Sequence, residues 1–145
     1  MATKFIQSNR KQAYLLPPSI DEWLPGDHLA RYIVEITEQL DLSPIYNTYT
    51  GAGGKAAYEP KVLLALLFYG YATGTFSSRK LERATYDSVA FRYIAANTHP
   101  DHDTIAAFRQ RFLSQLRALF LEILMIAKET GMLKVGNVSL DGSKI

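Results

Sequence analysis

The sequence predicts an all-α protein, a bundle of about five helices with a long C-terminal helix and a short strand-like tail. Three observations lead there. Ile105, Phe108, Phe112, Leu116, Leu119, Ile123 and Ile126 recur at spacings of three and four, the stripe of an amphipathic helix. Residues 62–72 are apolar almost without interruption between Pro60 and Gly74, as in a helix buried on all sides. Sustained apolar–polar alternation, the mark of a strand, is absent before residue 135.

The elements follow in order. Residues 1–24 read as irregular, because Pro17-Pro18 precludes a helix there, with Trp23-Leu24 packing back onto the domain. Pro25-Gly26-Asp27 reads as a stop followed by an N-cap, and a helix is expected from about His28 to Leu40, with Leu29, Tyr32, Ile33, Ile36 and Leu40 on its apolar face. Residues 41–57 read as a loop with Pro44 and the glycine-rich stretch Gly51-Ala-Gly-Gly-Lys55. A second helix starts at Pro60, which suits the first helical position, and ends at Gly74. Ser77 or Ser78 caps a third helix to about Tyr86, and Asp87 or Ser88 caps a fourth to Asn97. After Pro100, Asp103 caps a fifth helix from Thr104 to about Thr130, closed by Gly131. In the tail, Val138 and Leu140 share one face of a short strand and Ser139 and Asp141 the other.

A chain of 145 residues is long enough to bury a core as one domain, and 48% hydrophobic with 21% charged residues is the composition of a folded protein. With no cysteine there is no disulfide, thiolate nucleophile or cysteine-held zinc. No apolar run is long enough to span a bilayer, and no apolar signal core follows the basic residues of the N-terminus, so no membrane partner is expected. The net charge of +2 is uneven. Between residues 79 and 117 stand seven basic residues, Arg79, Lys80, Arg83, Arg92, Arg109, Arg111 and Arg117, against four acidic ones. Arginine suits bidentate contacts to phosphate or guanine. From charge alone, a solvated helix surface is the simpler account.

His99, Asp101, His102 and Asp103 form the densest set of candidate metal ligands. The same residues also serve as a helix-entry loop, with Pro100 as the break and Asp103 as the cap, and the lack of a third contributing segment favours that reading. Gly51 to Lys55 lacks the spacing, the preceding strand and the Ser or Thr of a phosphate-binding P-loop. A short helix after a tight turn, with Arg79, Lys80 and Arg83 near its start, has the layout of a helix-turn-helix reader and equally that of a capped surface helix. Asp141 before Gly142 is a common turn pair as well as an acid at a strand end.

Several ordered motifs together resemble one family. They are Leu24-Pro-x-Asp27-His28-Leu29-x-Arg31, Tyr58-x-Pro60, Leu63-Leu64-x-Leu66-Leu67-x-Tyr69-Gly70-Tyr71-x-x-Gly74 and Ser77-Ser-Arg79-x-Leu81-Glu82. Then come Phe91-Arg92-Tyr93-Ile94, Pro100-Asp-His102-x-Thr-Ile105-x-x-Phe108-Arg109-x-Arg111 and Val138-x-x-Asp141-Gly-Ser-Lys144. The succession resembles the N-terminal helical domain of bacterial insertion-sequence transposases of the DDE type, and it covers nearly the whole chain. The resemblance implies that residues 1–134 are a DNA-recognition domain and residues 135–145 the first strand of a truncated RNase H-like catalytic domain. It implies binding to the terminal inverted repeats of an element, with Arg79, Lys80, Arg83, Arg92, Arg109 and Arg111 as the DNA contacts.

The resemblance also makes Asp141 the first acidic ligand of a pair of divalent ions, Mg2+ or Mn2+, in the full-length parent. The other two acids of that centre are not in this chain. No metal is therefore expected to bind tightly here, and no strand cleavage by the chain itself. Ser143 stands where a threonine is common in the family. A bacterial cytoplasmic, nucleoid-associated location follows from the same resemblance. Two other readings belong to different classes. One is a non-catalytic interaction module, whose long helix forms a homodimer or pairs with full-length transposase. The other is an autonomous nuclease or metal hydrolase built on His99, His102 and Asp141.

Overall fold

The computed structural model describes residues 10–11, 19–49 and 58–129. Within them the protein is all-α, with no strand, and its eight helices are α1 (Ile20–Trp23), α2 (Leu29–Gln39), α3 (Ser43–Tyr46), α4 (Pro60–Thr73), α5 (Ser78–Asp87), α6 (Val89–Ile94), α7 (His102–Arg111) and α8 (Leu113–Glu129). The strand-like tail expected over 135–145, with Asp141 inside it, lies outside the described residues, as do Gly131 and the glycine-rich stretch from Gly51 to Lys55.

Helix α4 is the centre of the bundle. Pro60 opens it, and Leu63 through Gly70 are buried without a break. Such a helix has no face to offer water, so its neighbours must enclose it. Helices α2, α5, α6 and α7 pack directly against it. From α8, the Phe120 ring meets Phe68 at 5.8 Å and Tyr71 edge-on at 5.9 Å between centroids. Burial of each leucine here is worth about 2 kcal/mol, more than a typical helix cap at about 1 kcal/mol. Core burial therefore sets the arrangement, and the caps tune where each helix begins.

Those caps differ from expectation at two starts. Helix α2 is capped by His28 rather than Asp27, with His28 Nδ1 accepting from the Ala30 N–H at 3.0 Å. Helix α7 begins at His102 with Asp101 at its N-cap, so Asp103 falls inside the first turn. Ser77 and Ser88 cap α5 and α6 as the sequence suggests, accepting from the Lys80 and Phe91 N–H groups.

The expected single helix from Thr104 to Thr130 is divided at Phe112, which leaves the helical conformation at φ −114°, ψ 27°. The Phe112 ring is buried against Phe108 at 5.0 Å, faces Tyr49 at 6.2 Å and lies under the Arg111 guanidinium at 4.8 Å. The apolar stripe runs unbroken through this residue, because Ile105, Phe108, Phe112, Leu116 and Ile123 are all buried. Two single-turn helices, α1 and α3, also lie where loops are expected. The fourth expected helix stops at Ile94 instead of Asn97. On α8, Leu113, Leu121 and Met125 stay exposed on the side away from the core.

The approach of α5 to α4 depends on Gly70. A Cβ at that position would stand 2.5 Å from the Thr75 carbonyl oxygen and 2.9 Å from Leu81 Cδ2. The Thr75 N–H reaches back to the Gly70 carbonyl at 2.8 Å, and Gly74 turns the chain at φ +85°. Only glycine lets the turn close this tightly over α4. Gly70→Ala should destabilise the fold by about 1–3 kcal/mol, the cost of overpacking a tight contact. Gly26→Ala, with open space around the added Cβ, should change it little. Thermal unfolding of the two variants checks this, and equal melting temperatures would refute the tight-contact account.

Candidate nucleic-acid interface

Residues Gly74–Ser77 form a four-residue turn between α4 and α5, the connection length of a helix-turn-helix. The second helix packs its Leu81–Thr85 side inward, both residues being fully buried, and leaves Arg79, Lys80, Arg83, Tyr86 and Asp87 exposed. Arg79 and Arg83 are one turn apart and share a face, with Lys80 beside them. None of their three side chains makes an ion pair or hydrogen bond with another described side chain. Arg79 and Lys80 also lie in the first turn, which contains no acid. Cations at the positive end of a helix dipole cost stability, about 0.3–1 kcal/mol each.

The other three candidate arginines are engaged within the fold. Arg92 Nη2 donates to Asn97 Oδ1 at 3.3 Å, and its guanidinium lies 5.5 Å from the Trp23 ring centroid. Arg109 Nη2 donates to the Phe76 carbonyl at 2.8 Å, fastening α7 to the turn just before the cap of α5. Its Nε is buried without a hydrogen-bond partner. Arg111 Nη2 donates to the Thr48 carbonyl at 3.2 Å, and its guanidinium lies over Tyr49 and Phe112. The structure thus gathers Arg79, Lys80 and Arg83 on one exposed helix and uses Arg92, Arg109 and Arg111 as braces.

Arg31 is a stronger brace, outside the six. It donates to the carbonyls of Asp21, Leu24 and Pro25 and to the Asp21 carboxylate at 2.6 Å, with its guanidinium 4.8 Å from the Tyr93 ring centroid. One side chain therefore holds α1 and the following loop against α2 and α6. Its hydrogen bond to the Asp21 carboxylate, with the charge of that carboxylate, raises its pKa above the ordinary value. Its motif is visible in the sequence and contains two of its partners, Leu24 and Pro25, while Asp21 and Tyr93 stand outside it.

The histidine–aspartate cluster is a latch. The Glu82 Oε1 atom on α5 accepts from the His102 backbone N–H at 2.9 Å and from His102 Nδ1 at 2.8 Å. A carboxylate at a helix start satisfies an otherwise free N–H and is stabilised by the dipole. One turn on, the buried Thr85 hydroxyl donates to the Glu82 carbonyl, so the His99 Nδ1–H donates to Thr85 Oγ1 at 3.1 Å. The His99 ring stacks on Tyr86 at 3.8 Å with an interplanar angle of 5°. Pro100 between the two histidines is fully buried. Both histidines are thereby committed to α5, and among the described residues no group of three or more His, Asp or Glu is placed to hold a metal ion. Asp141 lies outside those residues, so no step is assigned to a metal here.

His102, through its side chain and then its backbone, holds the Glu82 carboxyl below its ordinary pKa. A depressed folded-state pKa stabilises the fold fully above the unfolded value of about 4.3 and loses that contribution as pH falls through the folded-state value. The melting temperature of Glu82→Gln should therefore fall below wild type at pH 7, and the two should converge toward pH 3. A gap that stays constant over this range would show that the carboxylate charge is not what latches α7.

No helix among the described residues is long and apolar enough to cross a membrane. No curated protein and no solved structure matches the chain. Residues 18–111 match the family described as Transposase domain (DUF772). This span covers α1 through α7, including the turn, the exposed face of α5 and the latch that sets it. The chain belongs to this family of transposase domains.

Proposed function

We propose that this chain is the N-terminal, DNA-recognition part of a DDE transposase of a bacterial insertion sequence, and that α4, the turn and α5 bind the terminal inverted repeats of the element. The observation that carries the reading is the exposed basic face of α5, where the side chains of Arg79, Lys80 and Arg83 have no partner among the described residues. Arg79 and Lys80, in the first turn, oppose the helix dipole and weaken the helix by themselves. A phosphate brought to this end reverses the sign, because backbone N–H groups, dipole and side chains all favour an anion. The four-residue turn and membership of a transposase-domain family support the same reading.

The roles within the interface differ. Arg79, Lys80 and Arg83 contact DNA, while Arg109, Glu82 and His102 position α5 from behind. Arg92 and Arg111 act mainly as braces in this account. The resemblance alone supports Asp141 as the first acidic ligand for Mg2+ or Mn2+ in a full-length parent. Binding, not strand cleavage, is the activity assigned to the described helices.

Three phosphate contacts on B-DNA give a slope of about −3 for log K against log salt. Arg83→Ala should weaken binding to an inverted-repeat duplex by about 1–3 kcal/mol and, if Arg83 holds phosphate, reduce that slope by about 1. Arg79→Glu should abolish tight binding while raising the melting temperature, because it replaces an unfavourable charge in the first turn with a favourable one. Titrations at two salt concentrations with cognate and scrambled duplexes check these outcomes. Equal affinity for the two duplexes would remove the claim of specific recognition, and full binding by Arg79→Glu would remove α5 as the interface.

A further inference from the structure

An open cleft of about 490 Å3 lies between α1 and α6, within the usual volume of small-ligand sites. Its walls include Ser19, Trp23, Arg92, Tyr93, Ala96 and Asn97. Trp23, the only tryptophan in the chain, is 44% exposed there. The Arg92 guanidinium lies over its ring, 5.5 Å from the centroid, and among the described residues makes one long hydrogen bond, to Asn97 Oδ1. A guanidinium has five N–H donors, so most of its donor capacity is left for another molecule.

The backbone behind Arg92 is strained. Ala96 at φ 52° and Asn97 at φ 60° are both left-handed and neither is glycine. Asparagine tolerates this region, but alanine does not. The bend is closed by the Asn97 N–H on the Arg92 carbonyl at 2.9 Å, and it brings the Asn97 amide beside the guanidinium. The acid in the cleft, Asp21, is already paired with Arg31. What remains is an aromatic wall, a planar set of donors and an amide that both donates and accepts.

That combination fits a flat aromatic molecule with hydrogen-bond acceptors along its edge. A base inside a duplex has both faces covered by its neighbours, so only an unpaired base could lie against Trp23. We propose that the α1–α6 cleft binds an unpaired nucleobase, stacked on Trp23 and hydrogen-bonded at its edge by Arg92 and Asn97. The choice of nucleic acid as the source rests on the DNA-binding reading above. The site itself is separate from α5 and can be tested separately.

Trp23 reports directly, since it is the only indole. Its fluorescence should be quenched saturably by a short single-stranded oligonucleotide, and more weakly by deoxynucleoside monophosphates, while a blunt duplex of the same sequence leaves it nearly unchanged. Arg92→Gln should weaken single-strand affinity roughly tenfold and Trp23→Ala by a similar factor, with Trp23→Phe keeping most of it. Affinities of the tryptophan variants are read by anisotropy of a labelled strand, and circular dichroism checks that each variant is folded. Quenching that persists in the Arg79→Ala/Arg83→Ala double variant supports a distinct site, even if that variant no longer binds duplex. Three results overturn the proposal: no saturable quenching by the single strand, unchanged affinity in folded Arg92→Gln and Trp23→Ala, or loss of quenching in the α5 double variant.

Discussion

The burial of α4 on every side is the constraint on which the rest of the structure depends. An uninterrupted buried run from Leu63 to Gly70 has no polar edge, so at least four other elements must cover it. Covering it brings α5 close enough that position 70 has no room for a Cβ. Because α4 takes up the apolar contacts, α5 needs only a narrow inward strip, Leu81 and Thr85, to stay docked. Its remaining circumference is free to carry charge. A helix that contributed more to the core could not expose Arg79, Lys80 and Arg83 in this way.

The polar braces complete what burial begins. Each joins two elements: Arg31 ties α2 to α1, Arg109 ties α7 to the turn before α5, Arg111 ties α7 to the segment after α3, and Glu82 ties α5 to the start of α7. Two of them, Arg109 and Glu82, act on α5 or the turn that precedes it. The orientation of the exposed basic face is therefore held by hydrogen bonds to charged groups, which are stronger than neutral ones. The same logic explains the histidine cluster. His99 and His102 are spaced to meet Thr85 and Glu82, three residues apart on α5, each through its Nδ1, and among the described residues no third ligand stands with them.

Much of this was legible in the sequence, and the failures have physical causes. Helices α4, α5 and α6 could be placed because Pro60, Gly74, Ser77 and Ser88 act locally at their ends. The break at Phe112 could not, because the apolar spacing continues through it and the deviation arises where Phe108, Tyr49 and Arg111 meet one ring. Helices α1 and α3 are one turn each, too short to show a period. In the candidate interface, Arg79, Lys80 and Arg83 were legible as a basic start to a helix. Their distinction from Arg92, Arg109 and Arg111 was not, because the partners of Arg109 and Arg111 lie 33 and 63 residues away. The Trp23 cleft was missed for the same reason: α1 reads as irregular, and only the fold brings it to Arg92.

In this proposal α5, displayed by a buried α4 and latched to the start of α7, is the surface that meets DNA. The most direct measurement is a titration of the isotope-labelled chain with an inverted-repeat duplex, followed residue by residue through amide chemical shifts. The largest changes should fall on residues 74–83, the turn and the basic face of α5, with smaller ones at the latch residues 99–102. Changes confined to α2 or α8, with residues 74–83 unmoved at saturation, would contradict it.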